Sequence, residues 1–149
     1  MKKILSAALF ALSISAPALA VDGMINVQSN HSVKETADRM EGVLKEKGMT
    51  VFNRIKHSEG AKNVGIELRD TELVLFGNPK VGSPLMQCAQ SIAIELPQKA
   101  LIWEDEAQNV WISYNDPNYL EQKHHLVGCE AVIEKVGNAL AGITKAVAS

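Results

Sequence analysis

The chain has 149 residues, of which 46% are hydrophobic and 21% charged, with 15 basic and 17 acidic side chains. This length supports one domain with a real core but not two. Basic and acidic residues are nearly balanced, and the sequence has no basic stripe with aromatic residues interleaved in it. Both observations argue against a nucleic-acid-binding protein.

The N terminus predicts a secretory signal peptide. Lys2 and Lys3 precede an apolar run over 4–14, and an Ala-Leu-Ala cleavage site follows, ending at Ala20. The run is too short to span a bilayer as a helix. The alternative is a buried N-terminal helix, but the order of charge, apolar run and cleavage site favours export.

Cleavage after Ala20 leaves a mature domain over 21–149. Removing two lysines leaves 13 basic against 17 acidic residues, a net charge of −4. No later apolar run approaches membrane-spanning length, so we predict no membrane span in the mature chain. The expected location is the periplasm.

A short extended segment over 26–30 precedes the first predicted helix. Ser32 and Glu35 have the spacing of a capping box, in which each side chain satisfies a backbone donor of the other. Gly48 can end this helix in the left-handed conformation. One apolar face recurs at helical spacing: Val33, Ala37, Met40 and Leu44.

Strands and a turn are predicted next. The segment 50–57 alternates as a strand, 58–63 is a polar loop, and 64–76 contains one interrupted or two short extended segments, 64–68 and 72–76. Gly77-Asn78-Pro79 ends the second of them in a turn.

The second half predicts helices around a hairpin. Ser83-Pro84 is a cap-plus-proline signal for a helix to about Ser91, and Asp116-Pro117 repeats it for a short helix ending near Leu126. A hairpin of 99–106 and 110–114 lies between them, and a last helix runs over 130–147. The order β-α-β-β-α-β-β-α-α predicts an α+β two-layer sandwich, with a mostly antiparallel sheet and helices packed on one face.

Four segments resemble the domain-of-unknown-function 302 family, over a region from about Ser32 to Leu126. They are Glu67-Leu68-Arg69, Phe76 to Gln87 (FGNPKVGSPLMQ), Leu96 to Asp105 (LPQKALIWED) and Val110 to Pro117 (VWISYNDP). The resemblance implies an α+β sandwich in proteins often secreted and sometimes dimeric, and it implies no activity. The turn 107–109 departs from it, since it lacks the Asp-Gly often seen in relatives.

Two cysteines, Cys88 and Cys129, lie outside the general family motif. In an oxidising compartment an even count predicts a disulfide, which would stabilise by about 4 kcal/mol in the chain-entropy model. Two buried free thiols or one reactive thiol are the alternatives. Their spacing fits no compact zinc motif.

The loop from Gly77 to Pro84 is the first candidate ligand site. Asn78, Lys80, Gly82 and Ser83 could hold an anion or small ligand near a helix start. The sequence is neither a P-loop nor a dinucleotide fingerprint, and its prolines remove two backbone donors. A structural turn is the alternative.

Glu104 and Glu106 share one face of a strand, while Asp105 lies on the other. Glu104 could serve acid–base chemistry if a partner approaches, or form a salt bridge with Arg69 or Lys99. The four histidines have no recognised zinc spacing, although His57, His124 and Glu104 could assemble a metal or haem site. No serine lies in a G-x-S-x-G motif.

The sequence therefore predicts a non-catalytic periplasmic domain that binds a small ligand or a protein partner. The expected ligand-binding residues are Asn78, Lys80, Gly82, Ser83, Glu104 and the hairpin residue Tyr114. The alternatives are a metal- or haem-binding protein and a hydrolase-like enzyme using Glu104. No catalytic residue, metal ligand or cofactor is assigned, and a homodimer is compatible with the resemblance.

Overall fold

A computed structural model describes residues 22–149, so the predicted signal peptide lies outside the described residues. Five antiparallel strands form one sheet in the order β1-β5-β4-β3-β2. The strands are β1 (Met24–Ser29), β2 (Thr50–Lys56), β3 (Thr71–Gly77), β4 (Gln98–Glu104) and β5 (Val110–Asn115). The predicted α+β fold is confirmed.

Helices complete the second layer. They are α1 (Val33–Glu46), α2 (His57–Asn63), α3 (Pro79–Cys88), α4 (Pro117–His124) and α5 (Glu130–Ala148), with a 3-10 helix over Gln90–Glu95. Helix α1 packs on β2, β3 and β4, and α5 packs on α1, β1, α3 and α4. Within residues 22–149, no helix is long and apolar enough to cross a membrane.

Side-chain alternation explains how the sheet faces this layer. In β3, Glu72, Val74 and Phe76 are buried, while the residues between them are partly exposed. In β4, Ala100 and Ile102 are buried in the same way. Since successive side chains of a strand point to opposite faces, one face of the sheet packs into the core with the apolar stripes of α1 and α5.

Helix α1 begins as its capping signal predicts, with one difference. The Ser32 hydroxyl accepts a hydrogen bond from the Glu35 amide at 3.3 Å. The Glu35 carboxylate contacts the His31 ring at 3.1 Å instead of completing the reciprocal bond. Helix α4 also begins as predicted, because the Asp116 side chain accepts from the Asn118 amide at 2.9 Å.

Helix α3 begins earlier than the Ser83-Pro84 signal predicts, so the capping role of Ser83 is wrong. The Asn78 side chain accepts from the Lys80 amide at 2.9 Å, and Pro79 occupies the first turn. Asn78-Pro79 is the same cap-plus-proline signal five residues upstream, and a proline in the first turn removes no needed donor. Pro84 consequently lies inside the helix.

The region between β2 and β3 also differs from prediction. The expected loop over 58–63 belongs to helix α2, and the expected strand over 64–68 is irregular. Val64, Ile66 and Leu68 are 71%, 58% and 49% exposed. Their alternation has no buried partner surface, and alternation without burial does not hold a strand in a sheet.

A disulfide joins Cys88 to Cys129, whose Cα atoms lie 6.4 Å apart. It connects the end of α3 to the residue preceding α5. The predicted pairing is therefore present, and α3 and α5 are covalently held as neighbours.

Candidate ligand-binding cavity

A cavity of about 410 Å³ lies beside the helix pair that the disulfide joins. Its walls come from α3, α5, the segment leading into β4, and the residues around the start of β2. The 3-10 helix closes part of the same wall through Ala93. The cavity is thus built by three stretches of chain that are distant in sequence, 49–52, 77–98 and 135–143.

Apolar side chains form most of the cavity wall. Helix α3 contributes Val81, Leu85 and Met86, and α5 contributes Val136, Leu140 and Ile143. Both helices present these residues at helical spacing, the same pattern that builds the core. Met49, Phe52, Leu96 and Pro97 close the other side.

Close backbone approach shapes the cavity at one glycine. A Cβ atom placed on Gly77 would lie 3.3 Å from the Phe52 ring and 3.8 Å from the Pro97 Cβ atom. Glycine therefore lets the end of β3 lie tightly between these two side chains. A larger residue would require the Phe52 ring to shift.

Four polar side chains interrupt the apolar wall: Asn78, Ser83, Gln98 and Lys135. Among the described lining residues, Lys135 carries the one formal charge, and no acidic side chain lines the cavity. Lys135 is exposed at the surface of α5. The cavity thus joins an apolar interior to a single cationic group.

The structure brings three of the six predicted ligand residues to this cavity: Asn78, Gly82 and Ser83. Lys80 lies on the same helix but is exposed and does not line the cavity. The Asn78 side chain, besides capping α3, donates to the Gly48 carbonyl at 3.4 Å. Its amide group is consequently engaged by the fold.

Glu104 and Tyr114 lie elsewhere. Glu104 ends β4, whereas the cavity lies at the Gln98 end of that strand. Tyr114 is buried and lines a separate cavity of about 390 Å³ with Thr144. Burial raises the pKa of the Tyr114 hydroxyl. Neither residue contributes to the apolar cavity.

The predicted salt bridge of Glu104 is wrong for the part of the chain that the structure describes. Arg69 Nε donates to the Glu104 backbone carbonyl at 3.1 Å, not to its carboxylate. Lys99 Nζ donates to the carbonyls of Glu95 and Pro97 at 2.8 and 3.3 Å. Both cations instead donate to backbone carbonyl groups. The spacing of charged residues in the sequence does not predict whether a cation will bind a carboxylate or a carbonyl.

Asp105, next to Glu104, is the structural carboxylate of the hairpin. It accepts hydrogen bonds from the Trp111 indole at 2.8 Å and from the Asn109 and Ala107 amides. These donors, the indole first, lower the pKa of Asp105 to about 2. Asp105 and Glu106 therefore lie in the turn after β4, and the expectation that Glu104 and Glu106 share one strand face is wrong.

The histidines are not gathered into one place. His57 begins α2, and His124 ends α4 beside Ser91 and Glu95. Within residues 22–149, no group of three or more His, Cys, Asp or Glu side chains is placed to hold a metal ion. The metal site proposed from His57, His124 and Glu104 is thus not assembled by the described fold.

Sequence reasoning missed the cavity residues contributed by α5 and by the approach to β4. Lys135 precedes Val136 in the apolar stripe of α5, and this stripe predicts core packing alone. Gln98 opens β4 and carries no motif. A charged residue beside a core stripe was the available signal for Lys135, and it is a weak one.

A family model matches most of the chain. Residues 25–147 match the family described as "Domain of unknown function DUF302". The structure is similar to a crystal structure of an uncharacterized conserved protein DUF302 from Bacillus stearothermophilus, with a TM-score of 0.77 and 16% identity. The similarity covers 85% of this chain and 99% of that one, and at this identity it shows the fold alone.

Similar sequences also occur within larger proteins. The chain is 42% identical over 124 residues to "Fluoride-specific ion channel FluC 1" of Brucella suis, covering 83% of this chain and 49% of that protein. The match to "Fluoride-specific ion channel FluC 2" of Brucella melitensis has the same identity and covers 46% of that protein. The chain thus spans about half the length of these relatives, and the channel name describes those whole proteins.

Proposed function

The chain belongs to the DUF302 family, whose description assigns no activity, and we propose that this member is a periplasmic binding protein for an amphipathic small molecule. The observation that carries the proposal is the cavity of about 410 Å³ with its apolar wall and single cation. Small-molecule sites in proteins typically measure about 300–1,000 Å³ and combine apolar walls with a few polar groups.

The apolar wall supplies the affinity. Burial of apolar surface contributes about 25 cal/mol per Å² removed from water, so a ligand with an alkyl or aromatic body gains by leaving solvent. The disulfide and the packing of α3 on α5 hold two of the walls together before a ligand arrives. A preformed site loses less free energy to ordering on binding.

Lys135 accounts for the expected preference for an anionic ligand. It is the charged lining residue among the described ones, and no ion pair of the described residues engages its ammonium group. An anionic head group beside Lys135, with the apolar body inside, satisfies both parts of the cavity. The proposed ligand class is therefore an apolar molecule with an anionic head group, for which a carboxylate serves as the probe.

Dodecanoate and 1-dodecanol form a matched pair of probes for this proposal. Calorimetric titration of the 21–149 protein is expected to show binding of both, with tighter binding of dodecanoate. Lys135→Gln is expected to weaken dodecanoate binding about 1.5- to fivefold, the range of one exposed ion pair. It should leave dodecanol binding unchanged. Lys145→Gln, another exposed lysine on α5, is the control.

Occupation of the cavity itself is tested with a blocking variant. Ala139 lines the cavity and is exposed on α5, so Ala139→Phe is expected to weaken both probes at least tenfold without disturbing the core. Ala131→Phe places the same ring at an exposed position of α5 outside the cavity and should change neither. No binding of either probe, or equal binding by Ala139→Phe, would contradict the proposal.

A further inference from the structure

A second site lies outside the lining of the apolar cavity, where the 3-10 helix meets the end of α4. Ser91 Oγ lies 3.1 Å from His124 Nδ1, and His124 Nε2 lies 3.3 Å from Glu95 Oε1. Three residues separated by up to 33 positions thus form a continuous hydroxyl–imidazole–carboxylate chain. The three groups stand in the order of a catalytic triad: a serine nucleophile, its general base and the group that orients the base.

Glu95 is fixed on both of its oxygens. Lys123 Nζ lies 2.6 Å from Oε1, and Asn115 Nδ2 donates to Oε2 at 3.4 Å. The hydrogen bond from Lys123 lowers the pKa of Glu95, and that from His124 lowers it further. Glu95 is therefore an ionised carboxylate with a defined position.

The ionised state of Glu95 determines the proton arrangement on the ring. A carboxylate only accepts hydrogen bonds, so His124 Nε2 must carry the proton that faces it. In the neutral imidazole, Nδ1 is then the free acceptor and receives the hydroxyl proton of Ser91. The two nitrogens have exchanged places relative to the usual serine triad, but the proton flow is the same.

Exposure suits this division of roles. Ser91 is exposed to solvent, whereas the side chains of His124 and Glu95 are 7% and 12% exposed. The hydroxyl can meet a dissolved reagent while the base and its partner are shielded from water. Shielding strengthens the hydrogen bond between ring and carboxylate.

We propose that Ser91 is a nucleophile for acyl transfer from carboxylic esters, with His124 as general base and Glu95 as the positioning residue. Ser91 Oγ forms a bond to the acyl carbon, and the bond from that carbon to the leaving oxygen breaks. The hydroxyl proton passes to His124 Nδ1 and then to the departing alkoxide. Water releases the acyl group by the same route, so that ester and water yield acid and alcohol.

A fluorophosphonate tests the nucleophile directly, because attack by Ser91 forms a stable O–P bond and expels fluoride. Intact-mass spectrometry of the 21–149 protein is expected to show one adduct, mapped by peptide sequencing to Ser91. Ser91→Ala is expected to abolish the adduct. Since Ser91 is exposed, this variant should keep the fold, as circular dichroism would show.

Variants of His124 and of nearby residues test whether the hydrogen-bonded Ser91–His124–Glu95 arrangement is catalytic or only structural. His124→Gln is expected to slow labelling at least 100-fold, the usual contribution of a general base. His125→Asn is the matched control, because His125 is an exposed neighbour in the left-handed conformation that asparagine tolerates. Ser149→Ala removes an exposed serine at the C terminus and should leave the rate unchanged.

Hydrolysis of p-nitrophenyl acetate tests Glu95. Glu95→Gln is expected to lower kcat at least tenfold with little change in KM. Glu95→Asp, which keeps the carboxylate, is expected to have a kcat between those of Glu95→Gln and the wild type. A purely structural contact predicts changed thermal stability without this selective fall in kcat. An unlabelled wild-type protein, an adduct on another residue, or equal labelling of His124→Gln would overturn the proposal.

Discussion

Arg54 gathers the acidic residues around the edge strand β2. Its guanidinium contacts Glu72 and Asp38 and lies 3.4 Å from Glu41. Glu72 is buried on the helix-facing side of β3, where an unpaired carboxylate would be costly. A charge on β2 thus permits an acidic residue inside an otherwise apolar row.

The same network makes stability depend on acid. Hydrogen bonds from Lys34 and Arg54 lower the pKa of Asp38 to about 2 from its ordinary value of 3.8. A lowered folded-state pKa means that the stabilisation is complete above the unfolded value and is lost as the pH falls from about 4 towards 2.

We therefore expect the urea midpoint of the wild type to exceed that of Asp38→Asn at pH 5, with the gap closing by pH 2. Unfolding followed by circular dichroism across this range measures the gap. Because Asp38 is about half exposed, solvent screening makes the gap modest. A gap that stays constant down to pH 2 would contradict this origin.

At the scale of elements, the disulfide organises the cavity side of the molecule. It joins residues 41 positions apart and holds the end of α3 beside the start of α5. The intervening chain includes the 3-10 helix with Ser91, the hairpin and α4. Both proposed sites therefore lie on or next to elements that this bond constrains.

Reduction of the disulfide is expected to lower the free energy of unfolding by about 4 kcal/mol, since a loop of this length gains that much chain entropy when opened. Urea unfolding with and without reductant measures the difference. The Cys88→Ser, Cys129→Ser double variant should have the same free energy of unfolding as the reduced protein, and reductant should not change it. A response of the double variant to reductant would locate the effect elsewhere.

For the whole molecule, export remains a prediction. Expression of the full chain in a bacterium is expected to deliver to the periplasm a protein that begins at Val21 and is two hydrogens lighter than its reduced mass. Native mass spectrometry of that sample would also reveal a retained ligand or a homodimer.

An Ala20→Leu variant is the matched control for export, because a bulky residue at the cleavage position should leave the signal attached. Its periplasmic form is expected to carry the extra mass of residues 1–20. A full-length wild-type protein confined to the cytoplasm would contradict the export prediction.

The sequence alone determined the features that depend on neighbouring residues. The α1 and α5 stripes, the Ser32 and Asp116 caps and the hairpin with its turn over 107–109 depend on residues a few positions apart. The order of these elements then predicted the α+β class. Where two local signals competed, as at Asn78-Pro79 and Ser83-Pro84, spacing did not decide between them. The strand expected over 64–68 failed because its alternation found no surface to bury against.

Only the tertiary structure decided which distant side chains meet. The apolar cavity needs α3, α5 and the approach to β4 together, and Lys135 lies more than 35 residues from the nearest lining residue that precedes it in the chain. Ser91, His124 and Glu95 likewise meet across 29 to 33 positions. Hydrophobic burial brings these elements together, but it is not directional, so no local pattern in the sequence specifies which elements pack against each other. Both sites are therefore visible only in the folded chain.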